Sequence, residues 1–200
     1  MMKVAASILA CDFSELKSEL RKVETADFIH FDVMDGHFVP NLALSPVILE
    51  AVKKHTRLPV NAHLMVTDPK DYIDLFSKAD IITVHVESND VEEVLKKIKH
   101  LKKKAGIALN PETPAEKVIP FLPMVDSVLV MTVRPGFAGQ KFLPTTAEKT
   151  KLLKPTGKEI WVDGGITDKT KPLVDADVLC AGEFIFASKN PEDVIRKLKK

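Results

Sequence analysis

Four side chains of the types that bind metal ions interrupt or follow apolar segments of this chain. His30 and Asp32 interrupt the run FIHFDV, His63 follows VNA, and Asp163 follows EIWV. Because His30 and Asp32 stand two residues apart, a strand would place them on one face. Burying such groups costs several kcal/mol unless they are paired or bind a metal. Two imidazoles and two carboxylates predict a site for one divalent ion, with zinc, iron, manganese and cobalt all compatible.

The elements that must position these side chains are predicted by eight short apolar segments, most of them rich in β-branched residues. They are residues 3–9, 27–33, 60–66, 81–86, 105–110, 127–133, 159–164 and 177–182. Nearly continuous apolar runs are typical of parallel strands that are buried on both faces. Helix-start patterns lie between the segments, at Asp12, Ser45, Asp90, Thr113 and Asn190.

Eight strand–helix units of about 25 residues predict an α/β fold, a short (β/α)8 TIM barrel that forms a single domain over residues 1–200. The fold typically takes about 250 residues, and only TDKTKPLVDA separates the last two predicted strands. The alternative is an open doubly wound sheet, but no GxGxxG motif follows the first strand. In a barrel, the C-terminal ends of the strands form the active face. We therefore expect the four ligand candidates to converge there.

Other polar and polarizable residues also fall at predicted strand ends. Ser7, His85 and Asn110 are among them, and His85 has two interpretations, a partner of a ligand or an ordinary core histidine. Three methionines fall there as well: Met34, Met65 and Met131. They either fill the core or form a water-poor wall around a charged intermediate.

Glycine-rich segments follow the last three predicted strands: RPGFAGQKF (134–142), DGG (163–165) and AGE (181–183). TIM barrels often bind phosphate at this place through backbone N–H groups. Glycine allows the backbone to approach a ligand closely. The three segments together predict a phosphate site.

Composition narrows the classes of function. The chain has 200 residues, 45% of them hydrophobic, and a net charge of +1. This charge creates no strong electric field that would attract nucleic acid or a membrane surface. No apolar run reaches the ~18 residues of a membrane span. Cys11 and Cys180 lie in apolar surroundings, as expected for reduced thiols of a cytoplasmic protein. We expect a small-molecule partner, and the sequence leaves the oligomeric state open, a homo-oligomer included.

The chain resembles the ribulose-phosphate 3-epimerase family in six segments that follow one another over nearly its whole length: SILACDF, HFDVMDGHFVPN, HLMV, NPETP, MTVRPGFAGQKF and VDGG. The resemblance implies a (β/α)8 barrel with a catalytic divalent metal bound by His30, Asp32, His63 and Asp163. It implies that Asp32 and Asp163 are the acid/base pair. The implied substrate contacts, with the three methionines added, are Ser7, Met34, His63, Met65, Met131, Gly136, Phe137, Ala138, Gly139, Gly164, Gly165, Gly182 and Glu183.

The implied reaction interconverts D-ribulose 5-phosphate and D-xylulose 5-phosphate, a step of the pentose phosphate pathway. One carboxylate removes the C3 proton, an enediolate forms, and the other carboxyl group returns a proton to the opposite face. The metal would act as a Lewis acid. Two alternatives remain. NLALSP, NPETP and PGFAGQ are also similar to D-allulose-6-phosphate 3-epimerase, and a barrel that binds a sugar phosphate without turnover is the other.

Two positions depart from the family pattern. The family usually has Gly-Ser where this chain has Gly182 and Glu183, and Asn, Asp or Glu where it has Arg134. A carboxylate ~4 Å from a phosphate costs about 4 kcal/mol per unit charge at an effective dielectric of about 20. We therefore expect Glu183 to turn out of the site while its backbone N–H binds phosphate, and Arg134 to pair with Glu183 or with the phosphate.

Overall fold

Eight parallel strands close into a barrel in this computed structural model, which describes residues 2–200. The strands in chain order are β1 (Lys3–Ser7), β2 (Phe28–Asp35), β3 (Leu42–Ala43), β4 (Val60–Met65), β5 (Ile81–His85), β6 (Lys104–Leu109), β7 (Ser127–Met131), β8 (Glu159–Asp163) and β9 (Val178–Ala181). The short β3, which was not predicted, pairs antiparallel with the end of β2. Because β1 pairs with both β2 and β9, the sheet is closed. The predicted TIM barrel is confirmed, and the open-sheet alternative is wrong.

Residues 2–200 contain six α-helices: α1 (Leu16–Lys22), α2 (Pro46–His55), α3 (Val91–His100), α4 (Ala147–Leu153), α5 (Glu183–Phe186) and α6 (Pro191–Lys199). Two of the predicted start patterns are visible in the caps. Pro46 lies in the first turn of α2, and the Asn190 side chain accepts a hydrogen bond from the Asp193 N–H at the start of α6. None of these helices is long and apolar enough to span a membrane.

Three connections between barrel strands carry 3-10 helices instead of α-helices: Pro69–Asp71 after β4, Ala115–Met124 after β6 and Lys171–Leu173 after β8. The α-helix predicted to start at Thr113 is therefore wrong in type. Pro120 and Pro123 lie inside that segment, and proline lacks the N–H of an α-helical bond and clashes with the preceding turn. These short connections explain how the barrel closes with only 200 residues.

Inward-facing positions change from apolar to polar along the strands. In β2, alternate residues run from Phe28 through His30 to Asp32, because successive side chains point to opposite faces. Phe28 packs on Trp161 of β8 in an apolar cluster inside the barrel. Asp163, two residues after Trp161, ends the same strand. The barrel is therefore closed by apolar packing towards one end, while polar side chains collect at the C-terminal ends of the strands.

Candidate active site

The four ligand candidates converge where β2, β4 and β8 end. His30 and Asp32 come from β2, His63 from β4, and Asp163 from the last position of β8. Pairing of β2 with β4 sets Asp32 directly beside His63. One donor atom from each of the four residues lies within 4.8 Å of the others. The structure thus brings together all four side chains that the sequence analysis predicted as metal ligands.

Asp32 makes most of the contacts in this cluster. Its Oδ1 lies 3.0 Å from His63 Nδ1 and 3.2 Å from His30 Nε2, and its Oδ2 accepts a hydrogen bond of 2.9 Å from Ser7 Oγ. Burial alone would raise the pKa of Asp32, but the neighbouring His30 holds this pKa well below its usual range. The Asp32 carboxylate is therefore ionised at neutral pH.

The cluster fits a divalent metal ion. His30 Nε2 is buried and has no hydrogen-bond partner among the described residues, although carboxylate oxygens of Asp32 and Asp163 lie 3.2 and 3.5 Å away. A buried polar atom without a partner costs free energy, and a cation between this nitrogen and the carboxylates would remove that cost. Two histidines and two aspartates form a donor set that zinc, iron, manganese and cobalt accept.

A further pair of polar side chains lies behind His63. His85, whose role the sequence left open, has its Nε2 2.8 Å from His63 Nε2, so it is a partner of a ligand candidate. Burial lowers the pKa of His85 to about 4, which keeps its ring neutral near pH 7. On the opposite side of the His85 ring, Glu87 Oε2 lies 3.1 Å from His85 Nδ1. Sequence reasoning missed Glu87, although it follows His85 by two positions.

The second nitrogen of His30 also has neighbours that the sequence reasoning missed. Asn61 Nδ2 and Cys180 Sγ each lie 3.5 Å from His30 Nδ1. Thr83 donates a hydrogen bond of 2.8 Å to Asn61 Oδ1 and so orients the amide. Period-two spacing could have indicated Asn61, which precedes His63 by two in the same strand. Nothing in the sequence marked Cys180, because its proximity depends on barrel closure.

A cavity of about 490 Å³ opens at this end of the barrel. Its wall contains twelve of the predicted substrate contacts: Ser7, Met34, Met65, Met131, Gly136, Phe137, Ala138, Gly139, Gly164, Gly165, Gly182 and Glu183. Asp32 and Asp163 also line the cavity. His30 and His63 are fully buried and are not among the described residues that line it. The carboxylates, and not the imidazoles, therefore face the cavity.

Tightly packed glycines form the loop after β8. Gly164 has φ +117°, and a Cβ there would lie 2.4 Å from Val133 Cγ2. Gly165 has φ +63°, and a Cβ there would lie 2.5 Å from the backbone N of Phe142. Only glycine combines these dihedrals with such close approach. The loops after β7 and β8 consequently pack backbone to backbone, as expected for a wall that binds an anion through N–H groups.

The structure corrects the expectation for the Glu183 side chain and one of the two alternatives for Arg134. A Cβ built on Gly139 would lie 2.8 Å from Glu183 Oε2, so the Glu183 carboxylate extends over the GFAG loop (Gly136–Gly139) instead of turning away from it. The physical reason is space, because Gly139 has no side chain to exclude it. Arg134 Nε lies 2.5 Å from Glu112 Oε1, and both side chains are exposed. Arg134 therefore pairs with the loop after β6, and its expected pairing with Glu183 is wrong.

The fold and the site together define a TIM-barrel protein with a candidate metal centre at the C-terminal ends of its strands. A family model described as the ribulose-phosphate 3 epimerase family matches residues 3–186. The ribulose-phosphate 3-epimerase of Bacillus subtilis (strain 168) is 42% identical, over 100% of this chain and 99% of the relative. That of Methanocaldococcus jannaschii is also 42% identical, over 100% of this chain and 90% of the relative. The chain belongs to the ribulose-phosphate 3-epimerase family, a family of isomerases.

Solved structures agree on the fold. 3-Hexulose-6-phosphate synthase from Salmonella typhimurium aligns with a TM-score of 0.77 over 99% of this chain and 97% of that chain. Its sequence is only 19% identical. At this identity the likeness shows the barrel fold alone.

Proposed function

We propose that the protein interconverts D-ribulose 5-phosphate and D-xylulose 5-phosphate by proton transfer at C3, with a divalent metal as cofactor. The observation that carries this proposal is the position of Asp32 and Asp163. Both carboxylates line one cavity, and each lies within 3.5 Å of His30 Nε2. The names of relatives that are 42% identical over the whole chain support the same reaction.

The proposed metal ligands are His30, Asp32, His63 and Asp163, through donor atoms that lie within 4.8 Å of one another. When bound, a divalent ion supplies Lewis acidity that stabilises negative charge on the substrate oxygens. The side chains have tasks of their own. Ser7 holds Asp32 by a hydrogen bond to Oδ2, which keeps the carboxylate oriented towards the cavity.

Proton transfer at C3 needs one group on each face of the reacting carbon. Asp32 comes from β2 and Asp163 from β8, on well-separated strands of the barrel. The low pKa of Asp32 supplies an ionised carboxylate at neutral pH. In our scheme one carboxylate accepts the proton from C3 and the other carboxyl group donates a proton to the opposite face. The roles exchange when the reaction runs backwards.

The remainder of the cavity suits the rest of the substrate. Met34, Met65 and Met131 are nearly fully buried and line the wall near the carboxylates. We propose that they exclude water from the charged intermediate. Backbone N–H groups of the glycine loops after β7, β8 and β9 would bind the phosphate. Binding at a distance from C3 then orients the reacting carbon.

The Glu183 carboxylate must leave the GFAG loop before a phosphate can bind there, because two anions repel each other strongly at this distance. Glu183 is exposed, and its carboxylate has no hydrogen bond or ion pair within the described part of the chain. Rotation into solvent therefore breaks no contact of this kind. Lys141 also lines the cavity and adds a positive charge to the rim.

The position of Glu183 favours a second candidate function, a barrel that binds a sugar without a phosphate group at this end. A carboxylate over the loop would accept hydrogen bonds from the hydroxyl groups of an uncharged sugar. We prefer the epimerase because the acid/base pair and all four ligand candidates are present together.

Three further expectations stay predictions: a cytoplasmic location, a single domain over residues 1–200, and a role in pentose phosphate metabolism. Cys11 and Cys180 are both free thiols, in agreement with a reducing compartment.

A direct assay tests the proposal. The metal-loaded protein is incubated with D-ribulose 5-phosphate or D-allulose 6-phosphate in deuterated water. We expect turnover of the first substrate and deuterium at C3 of the product, with both lost after chelation. Preferred turnover of D-allulose 6-phosphate would reassign the substrate. No turnover of either compound by protein of known metal content would support binding without catalysis.

A further inference from the structure

We infer that Glu87 and His85 act as positioning residues, because they form a hydrogen-bonded chain that fixes the tautomer and ring orientation of His63. The inference rests on the proposed metal centre and goes beyond its four ligands. The chain runs from Asp32 through His63 and His85 to Glu87. Its effect is to leave His63 Nδ1 as the nitrogen that binds metal.

Three short contacts connect the chain. Asp32 Oδ1 lies 3.0 Å from His63 Nδ1, the Nε2 atoms of His63 and His85 are 2.8 Å apart, and His85 Nδ1 lies 3.1 Å from Glu87 Oε2. Both histidines are fully buried, so water does not compete for these nitrogens. Each contact is within the range of a hydrogen bond or, at the Asp32 end, of a shared cation.

The carboxylate of Glu87 sets the direction of every bond in the chain. An ionised carboxylate only accepts, so His85 Nδ1 must carry the proton. In a neutral ring Nε2 is then bare and accepts from His63 Nε2–H. A neutral His63 consequently has a bare lone pair on Nδ1. That lone pair faces Asp32 in the ligand cluster, where a metal ligand needs it.

Counting protons gives the same result. The hydrogen-bonded chain has three contacts, and its two imidazoles provide only two N–H protons when His63 is neutral, as a metal ligand must be. The contact left without a proton is the one between His63 Nδ1 and Asp32 Oδ1, which are 3.0 Å apart. Two electron pairs at this distance repel each other unless a cation lies beside them. The chain therefore prepares the side of His63 that faces Asp32 for a cation.

Further contacts hold both members of the positioning pair. The second oxygen of Glu87 accepts a hydrogen bond of 2.8 Å from the Asn110 N–H, in the loop after β6. The Phe38 ring packs against the His85 ring, with the centroids 4.7 Å apart. The carboxylate cannot leave His85 without losing the Asn110 contact, and Phe38 restricts flipping of the imidazole. Two loops thus fix the orientation of one ligand.

The tautomers of the unmodified protein provide the first test. Long-range ¹H–¹⁵N spectra of ¹⁵N-histidine-labelled protein, recorded with and without zinc, report the protonation of each ring nitrogen. We expect His85 protonated on Nδ1 and, in the zinc-loaded protein, His63 protonated on Nε2 with Nδ1 bound to the metal. The opposite tautomer at either ring would overturn the inference, and this result does not depend on how any variant folds.

The second test is Glu87→Gln, with Glu112→Gln as the matched control on the rim of the same barrel. An amide can donate as well as accept, so the replacement removes the fixed direction of the chain. We expect zinc affinity, measured by competition with a chelator, to fall about 10- to 100-fold and the His63 spectrum to show mixed tautomers. The control should bind zinc as the unmodified protein does. Unchanged affinity and tautomer in folded Glu87→Gln would refute the inference.

These outcomes separate the inference from the proposed reaction. Loss of zinc affinity in Glu87→Gln, in a protein that turns over neither sugar phosphate, would support the inference and count against the epimerase. Full epimerase activity with unchanged zinc binding in Glu87→Gln would support the epimerase and count against the inference. An unmodified protein that binds no zinc, cobalt, manganese or iron would remove both the metal centre and the inference.

Discussion

The two ends of the cavity are built by different means. At the metal end, where we propose that the ion binds, side chains on barrel strands supply the candidate donors, and His30, Asp32 and His63 are at most 3% exposed. At the anion end, where we propose that the glycine loops bind phosphate, loop backbone forms much of the wall, and side chains such as Phe137, which is 54% exposed, extend into solvent. Packed strands restrict side-chain rotamers, whereas glycine loops fix the backbone and leave neighbouring side chains free. Single substitutions should therefore have large effects at the metal end and graded effects at the anion end.

Asp32→Asn and Asp163→Asn should have the largest effects. Each replacement keeps the shape of the side chain but removes a group that, in the proposed mechanism, exchanges a proton with C3. We expect turnover of D-ribulose 5-phosphate to fall about 10²- to 10⁴-fold, while the circular dichroism spectrum stays unchanged. Rates are measured at saturating metal, so that weaker metal binding does not mimic lost chemistry. Activity within a factor of a few of the unmodified protein would contradict the assignment of these residues.

His63→Ala should have the next largest effect, on metal binding. Replacing a residue that hydrogen-bonds to a metal ligand typically weakens metal affinity about 10- to 100-fold. Removing a direct ligand should weaken zinc affinity by more than this. His37→Ala is the control, because His37 is exposed on the loop after β2 and outside the ligand cluster. Elemental analysis after dialysis against a weak chelator should find metal in the control and none in His63→Ala. Equal metal content in both variants would rule out His63 as a ligand.

The contrast between side chains on strands and side chains beside loops also explains which features could be predicted from the sequence. The strands and the four ligand candidates were predictable, because β-branched runs and period-two spacing determine the face on which His30, Asp32 and His63 lie. The role of His85 was not, since it depends on the distance to a side chain from the neighbouring strand. The side-chain direction of Glu183 depends on empty space over Gly139, which belongs to another loop. Sequence patterns describe local periodicity, whereas these two features arise from contacts between distant segments.

Glu183→Ser should have a moderate effect, at the anion end. Removing the carboxylate from the GFAG loop should lower the KM for D-ribulose 5-phosphate by up to about tenfold. The full repulsion of about 4 kcal/mol is not expected, because Glu183 can rotate into solvent before the substrate binds. Turnover at saturation should stay within about twofold, since no hydrogen bond or ion pair joins the Glu183 side chain to Asp32 or Asp163 within residues 2–200.

Glu183→Gln separates charge from size in this experiment. The amide fills the same space without the charge, so a KM as low as that of Glu183→Ser would assign the effect to electrostatic repulsion. A KM equal to that of the unmodified protein would assign the effect to the size of the side chain. A rise in KM for both variants would show that Glu183 assists binding, which would favour a substrate with hydroxyl groups at this end.

Arg134→Ala should have the smallest effect. Arg134 pairs with Glu112 on the exposed rim, where an ion pair contributes about 0–1 kcal/mol because water screens both charges. We expect the KM to change by less than about twofold and the midpoint of thermal unfolding to shift only slightly. Lys141→Ala is the informative comparison, since Lys141 lines the cavity whereas Arg134 is not among the described residues that do. A larger KM increase for Arg134→Ala than for Lys141→Ala would mean that Arg134 leaves Glu112 and reaches the phosphate when the substrate binds.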